Sequence, residues 1–555
     1  MFGYEALADA LAQEGTEHIF TVCASDNMDL LIELKDKKAV KVISARKEAG
    51  AAGMADGYSR ATGRPGICCV TLGPGLTNAA TSLMTANRHK SPVLCITTER
   101  SRLVRKSVKG LGLDQQHFAE DIGGKYIRVG HGRTLAEDVQ SAFRHIRSAG
   151  GSVVLALPQE VMKGKLDIDW RYSPVALSMP QPQRSYPDPV IVAQAVATLS
   201  AAGKPVIITG RGAASSQAEQ EAASLAERTG ALVATTLMAR GFLAHHPYNA
   251  GISGPFALET IQTLLSQADC VLAVGCSLNS YTVGFGSLYA KAQIIHIDQD
   301  PAQIGAVTPV AVGMVGDARA SLTAISLELD RRQVGKKQGF WHSDVKALIA
   351  KSRSEAPPYV EERGRIDPNQ LVAELDRVLP GNRIMALDGG HHRYFPAGRI
   401  SLSEACSFIW SADLGVVGLS LYQGIGAAIG RPDRHVVVFV GDGGFMMSLE
   451  ELDTAVRYHV PVTVVIMNDN AFGAEMHHLA SRGRPIDITL FDDNPDFAPV
   501  ATALGAVGLT VRNAEDIQSL AATVARANLP VLIDAKVNRN VAHRIEAFQL
   551  KGRGD

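Results

Sequence analysis

No apolar stretch in this sequence approaches the ~20 residues that a membrane-crossing helix needs. The opening segment, "MFGYEALADALAQEGTEHIF", has helical apolar spacing but neither a basic region nor a signal-type apolar run, so a cytoplasmic protein without membrane contact is expected. Charge of one sign is missing too. With 55 Lys and Arg against 56 Asp and Glu the formal net charge is -1, so no global field recruits nucleic acid, and any anionic ligand must be held locally. Cysteine pairs at metal-ligand spacing are absent. The seven cysteines, Cys23, Cys68, Cys69, Cys95, Cys270, Cys276 and Cys406, stand mostly inside apolar runs and read as reduced core thiols.

What the sequence does have is length and alternation. Its 555 residues exceed what one core can organise, and two or three domains are expected. Short β-branched runs such as "GICCVTLG", "KPVIITGRG", "CVLAVGC" and "HVVVFVGDGG" alternate with Ala-rich helical stretches, the pattern of parallel sheets covered by helices. The Pro-rich stretch 173–189 and the charged, Pro-containing stretches within 331–368 read as linkers. The expected organisation is three doubly wound α/β domains, over 1–172, 190–330 and 368–555.

Two of the apolar runs, "VVVFV" and "VTVVIM", end abruptly in "GDGG" and "NDN", with an amphipathic stretch long enough for a helical crossover between them. Ligands of parallel sheets bind beyond the carboxyl ends of strands, where Asp442 and Asp469 fall. Gly441, Gly443 and Gly444 let backbone amides approach a phosphate at the start of the next helix. Two carboxylates with a nearby carbonyl are hard oxygen ligands suited to Mg²⁺, which binds together with substrate phosphates. The motif predicts a magnesium diphosphate clamp.

"GDGG" followed by "NDNAFG", with its two acids 27 positions apart, resembles the thiamine diphosphate motif of the acetolactate synthase and pyruvate decarboxylase superfamily. The resemblance spans almost the whole chain. Lys47 to Asn78, "KEAGAAGMADGYSRATGRPGICCVTLGPGLTN", is similar to the family's pyrimidine-binding segment, and "LDGGHHRYFP" with "GVVGLSLYQGIGAAIGRPD" to the approach to its diphosphate domain. The resemblance implies thiamine diphosphate and Mg²⁺ as cofactors, with Asp442, Asp469 and the Ala471 carbonyl on the metal. It places Gly390, His391, His392, Gly441, Gly443 and Gly444 around the diphosphate. Gly415, Val417 and Asn78 also border the cofactor, Val417 as the apolar wedge that keeps it bent. Glu48 would stabilise the imino form of the aminopyrimidine, which removes the thiazolium proton.

The implied activity is decarboxylation of a 2-oxo acid and transfer of the acyl carbanion to an acceptor carbonyl. The alternatives are simple decarboxylation to an aldehyde, or a lyase acting on an acyl-CoA or dicarboxylate. Glu475, six positions after Asp469, matches a catalytic glutamate of the pyruvate decarboxylase group, and His478 stands where acetolactate synthases have a tryptophan. Cys23, Ala24, Ser25 and Asp26 replace the Pro-Gly-Gly turn of acetolactate synthases, Gly73 replaces a histidine of benzoylformate decarboxylase, and Lys109 or Gln115 falls in the adjoining substrate region. A basic cluster, Arg100, Arg102, Arg105, Lys106 and Lys109, is the feature that suits a dicarboxylate or acyl-CoA. "GRGA" and "SLNSYT" in the middle domain resemble the flavin-binding region of biosynthetic acetolactate synthases without its acidic and arginine residues, so FAD is not favoured. The family's assembly implies a homodimer or dimer of dimers, with sites where Glu48 of one chain meets Asp442 of another.

Overall fold

The computed structural model describes residues 1–101, 113–180, 183–491 and 494–545. Three six-stranded, wholly parallel sheets follow one another along the chain. The first has the spatial order Lys41–Ser44, His18–Thr21, Gly66–Val70, Val93–Glu99, Ser152–Pro158, Lys125–Arg128. The third has the order Phe408–Trp410, Arg383–Leu387, His435–Gly441, Val462–Asn468, Val531–Lys536, Val507–Val511. Numbered within each sheet, both read 2-1-3-4-6-5. The central sheet instead reads 6-5-4-1-2-3, and its halves meet at the parallel pair Cys270–Val274 and Pro205–Thr209. The continuous apolar character of "VVVFV" and "VTVVIM" follows from this layering, since helices cover both faces and every residue of Val462–Asn468 is buried.

The first and third sheets share one core. Phe20, Cys68 and Val154 belong to the same buried cluster as Val438, Ile466 and Leu532. The joint is a pair of small-residue helices, Glu48–Thr62 and Ser420–Gly430. Their backbones lie too close for side chains between them: a Cβ at Gly57 would stand 1.9 Å from the Gln423 carbonyl, and one at Gly426 1.9 Å from that of Met54. Buried polar bonds fix the register. Gln423 donates to Asp56 at 2.7 Å, and Arg60 bridges Asp56 at 2.9 Å and Asp413 at 3.1 Å.

At the switch point of the central sheet, where a dinucleotide fold opens a crevice, the two strand-end turns close on each other. The Gly212 amide donates to the Gly275 carbonyl at 2.9 Å, and a Cβ at Gly210 would lie 2.2 Å from that same oxygen. The charged connection toward the third domain is more ordered than its composition implies. It contains the helix Ser343–Ser354, which buries Ile349 against the central domain. Five cysteines are buried, as their apolar settings imply, while Cys23 and Cys406 are exposed because they sit in loops; all seven are free thiols.

Candidate active site

Strands His435–Gly441 and Val462–Asn468 pair in parallel, with Gly441 opposite Met467, so their carboxyl ends lie side by side. Asp442 starts the helical turn Asp442–Met446 directly beyond one tip, and Asp469 follows the other. The crossover between them contains the helix Glu450–Arg457. The two carboxyl groups are buried and close enough that each feels the other's charge. Burial pushes the Asp442 carboxyl up to about 6; burial and the facing Asp442 charge push Asp469 up as well. Asn494 donates to Asp442 at 2.6 Å, and the Ala471 amide donates to Asp469 at 3.1 Å. Asn470, with φ of 55°, turns the backbone left-handed and carries Ala471 back beside the pair. Two buried carboxylates held together repel once both are ionised, and a divalent cation relieves that cost.

A cradle surrounds the pair. Gly390, at φ of 123°, introduces the turn His391–Arg393; a Cβ there would stand 3.0 Å from the His392 ring, and one at Gly441 3.1 Å from it. The His392 ring is buried, and its Nε2 has no protein partner among the described residues. Burial holds this imidazole neutral, down to about 3, and an anion placed beside it would raise that value. His391 bonds the Val541 carbonyl through Nε2 at 3.2 Å. A Cβ at Gly443 would meet the Phe472 ring at 2.8 Å, and one at Gly444 the Asp388 carboxylate at 2.6 Å. Gly415, at φ of 77°, faces open space where a Cβ would point. Val417 stands 37% exposed, unusual for a valine in a loop otherwise pinned from beneath.

That pin is Asp388, a fully buried residue that motif reading passed over within "LDGG". Its carboxylate accepts from Ser411 at 2.9 Å and from the amides of Gly418 at 2.7 Å and Leu419 and Ser420 at 3.2 Å. Burial nonetheless holds its pKa up. The readable signal was an acid directly after the apolar run "IMAL", the same signal that marked Asp442.

In the N-terminal domain Glu48 is the first residue of its helix, half-buried, with Asn78 donating to its Oε2 at 3.0 Å. The turn that launches it is held from the other domain: Glu451 accepts from the amides of Arg46 at 3.0 Å and Lys47 at 2.9 Å. Sequence reasoning treated Glu451 as part of a crossover and missed this link. Asp26 is buried beneath the exposed Cys23 and Ser25, accepting from Thr71 at 3.0 Å, the Leu72 amide at 3.3 Å and Thr98. Gln115 ties the Gly73 amide to the Thr98 carbonyl.

Glu475 and His478 lie on the helix Gly473–Ser481, Glu475 exposed and His478 half-buried. The histidine of this helix that packs against the cradle is His477, its ring 4.2 Å from that of His391. Arg102, Arg105, Lys106 and Lys109 lie outside the described residues.

The donor set fits the group it resembles. Oxygen ligands from two carboxylates suit Mg²⁺, and the unpartnered His392 nitrogen and the glycine-lined turns leave room for a diphosphate.

Comparison with known proteins agrees. Residues 1–122 match the thiamine pyrophosphate enzyme N-terminal TPP binding domain, 192–325 the thiamine pyrophosphate enzyme central domain, and 388–535 the C-terminal TPP binding domain. An acetolactate synthase of Arthrospira platensis is 30% identical over 97% of this chain and 94% of its own. A probable acetolactate synthase large subunit of Methanococcus aeolicus is 28% identical over 98% and 93%, and a sulfoacetaldehyde acetyltransferase of Castellaniella defragrans 28% over 99% and 94%. With three consecutive domain matches and relatives aligned nearly end to end, the chain belongs to the thiamine pyrophosphate enzymes of the acetolactate synthase-like type.

Proposed function

We propose that this enzyme decarboxylates a 2-oxo acid and transfers the acyl unit to an acceptor carbonyl, using thiamine diphosphate and Mg²⁺. The observation that carries the reading is the buried Asp442–Asp469 pair at two adjacent strand tips, an arrangement that is electrostatically costly without a cation. Asp442, Asp469 and the Ala471 carbonyl hold the metal, and Gly441, Gly443, Gly444, Gly390, His391 and His392 border the diphosphate. Gly415 and Val417 shape the space above them, with Asp388 fixing their loop. The bound cofactor supplies a positive ring that takes up the electrons released as carbon dioxide departs. Glu48 holds a proton at the aminopyrimidine, and Asn78 orients its carboxylate.

The site is completed by a second copy of the chain. Val417, Met446, Met447 and Phe472 expose 37 to 47% of their surface beside the acid pair, an apolar rim that suits cover by the Glu48 face of a partner. The central domain serves as structure in this reading, since the Gly212 amide is already spent on Gly275. A transfer reaction is favoured over aldehyde release by relatives whose names are those of a synthase and an acetyltransferase. Glu475 supports aldehyde release as the second reading, because an acid on the helix beyond the metal pair is placed to deliver a proton. The test is to incubate Mg²⁺-loaded holoenzyme with a panel of 2-oxo acids, with and without carbonyl acceptors, and to identify products by mass. Coupled products are expected; aldehyde alone, whatever acceptor is added, would select the second reading.

A further inference from the structure

Away from the acid pair, the central and C-terminal domains enclose a cavity of about 490 Å³, within the usual range for small-molecule sites. It lies along the edge strand Asn249–Ile252 of the central sheet, walled by the helix Ser343–Ser354 and by the C-terminal domain between Asp376 and Ser403. Four arginines line it. Arg383 is neutralised by Asp376 at 2.8 Å. The other three, Arg240, Arg353 and Arg399, bond only main-chain carbonyls: Pro396 and Ile400 for Arg240, Asn249 for Arg353, Glu355 for Arg399. Among the described residues no carboxylate lies within ion-pair distance of these three guanidinium groups. Burial lowers all three, Arg240 to about 10, and the more distant charges of Asp376 on Arg240 and Glu355 on Arg399 offset it only in part; Arg353 keeps an exposed face toward solvent. Phe256, Ile252 and Ile349 supply an apolar wall.

Three guanidinium forks around one cavity, none in direct contact with a carboxylate, match a ligand with more than one oxyanion group, since a fork can take a carboxylate or phosphoryl group in two parallel hydrogen bonds. We propose that this interdomain cavity binds a small organic polyanion and that its occupant is felt at the cofactor cradle. The route is short. Arg240 grips the carbonyls of Pro396 and Ile400, in and just after the helix Tyr394–Arg399, and that helix runs directly on from His391 and His392. A ligand that fixes these arginines therefore fixes the segment that positions the two histidines.

The direct test is calorimetric titration of Mg²⁺-thiamine diphosphate-saturated protein at low salt. Fructose 1,6-bisphosphate serves as the phosphoryl probe and tricarballylate as the polycarboxylate one. Saturable binding of either is expected, and the stronger of the two names the class. Arg353→Gln should weaken it about tenfold or more, the usual loss for one charge-assisted bond. Arg240 is left intact because its burial makes folding depend on it. Ser403→Asp is the second variant; it removes no arginine and places a competing carboxylate at a half-buried lining position. Absence of binding by both probes, or binding unchanged in both variants, overturns the site. The coupling is read from thiamine diphosphate dissociation, expected to slow several-fold with the bound probe in wild type and not in Arg353→Gln. An unchanged rate overturns the coupling. That second readout rests on the cofactor reading above, whereas the calorimetric one does not, so the two can fail separately.

Discussion

The first and third sheets are built to one plan, strand order 2-1-3-4-6-5, yet their equivalent tips carry different chemistry. Beyond His435–Gly441 and Val462–Asn468 stand Asp442 and Asp469; beyond the corresponding Gly66–Val70 and Val93–Glu99 come Thr71, Leu72 and Gly73 on one side and Arg100 on the other. The tip of the strand that lies second in each sheet repeats an acid in both. Asp26 in the first domain and Asp388 in the third are buried carboxylates that collect donors from neighbouring turns. The comparison separates scaffold from function. An acid whose donors come from neighbouring protein turns shapes loops, whereas two acids that face each other call for a ligand from outside.

The sharpest way to break this comparison is to disable each half separately. Asp442→Ala should abolish holoenzyme formation, read as loss of Mg²⁺-dependent thiamine diphosphate binding by calorimetry, and chelation of Mg²⁺ should reproduce it. Glu48→Gln keeps the shape and the Asn78 contact, so binding should fall little while exchange of the thiazolium C2 proton, followed by NMR, falls by orders of magnitude. Equal losses of binding in the two variants would show that the halves do not divide the work this way.

How much of this was legible follows from which signals are local. Parallel sheets could be read from alternation, because strands covered on both faces write continuous apolar runs, and their number from the two linker-like stretches that interrupt it. Asp442 and Asp469 could be read because each ends such a run abruptly. Asp388 carried the same signal, but its partners at 411–420 are a separate segment, and only folding brings them together. Glu451 was hidden more deeply: its partners are amides some four hundred positions earlier, and no spacing rule reaches that far. His477 carried no signal of its own: the match that singled out His478 concerns another face of the same helix, about 100° away, and only the fold shows the His477 ring packed on His391.

The joint between the two like domains gives the next effect. Gly57→Ala improves helix propensity by about 1 kcal/mol, but the new Cβ would stand 1.9 Å from a main-chain oxygen that no rotamer change can move. Overpacking of this kind costs about 1–3 kcal/mol or more, so the clash should win. A lower thermal midpoint is expected, with loss of activity at temperatures the parent tolerates; an unchanged midpoint would mean that the helices can slide apart freely.

The same joint should be sensitive to acid. Burial, with Arg60 adding to it, pulls His89 down to about 4, while its partner Asp413 is held below the usual carboxylate range. A histidine whose folded pKa lies below its unfolded value of 6.5 contributes stability that is complete above pH 6.5 and is lost as pH falls toward 4. His18 and His435, also near 4, act in the same direction; the raised carboxyls of Asp388 and Asp442 act in the opposite one. His89→Gln isolates the joint. Its thermal midpoint should fall less steeply than the parent's between pH 6.5 and 4, and parallel curves would remove His89 from the account.

The smallest and most specific effect concerns what the C-terminal half does after carbon dioxide has gone. Glu475 is exposed on a helix whose other side, through His477, packs on His391 of the cradle. In the reading proposed above it acts only after the cofactor is bound, so replacing it should leave thiamine diphosphate affinity intact. A carboxylic acid at this place can give a proton to the reacting carbon, which ends in aldehyde, while a neutral amide of the same shape cannot. Glu475→Gln should then lower aldehyde release more than it lowers coupling to an added acceptor, so the ratio of coupled product to aldehyde rises. Substitutions at His478, half-buried on the same helix, should instead change which donor or acceptor is used. Equal loss of both products in Glu475→Gln would place this acid in an earlier step common to both fates, and no change in either would leave it a solvated residue on the surface of a helix.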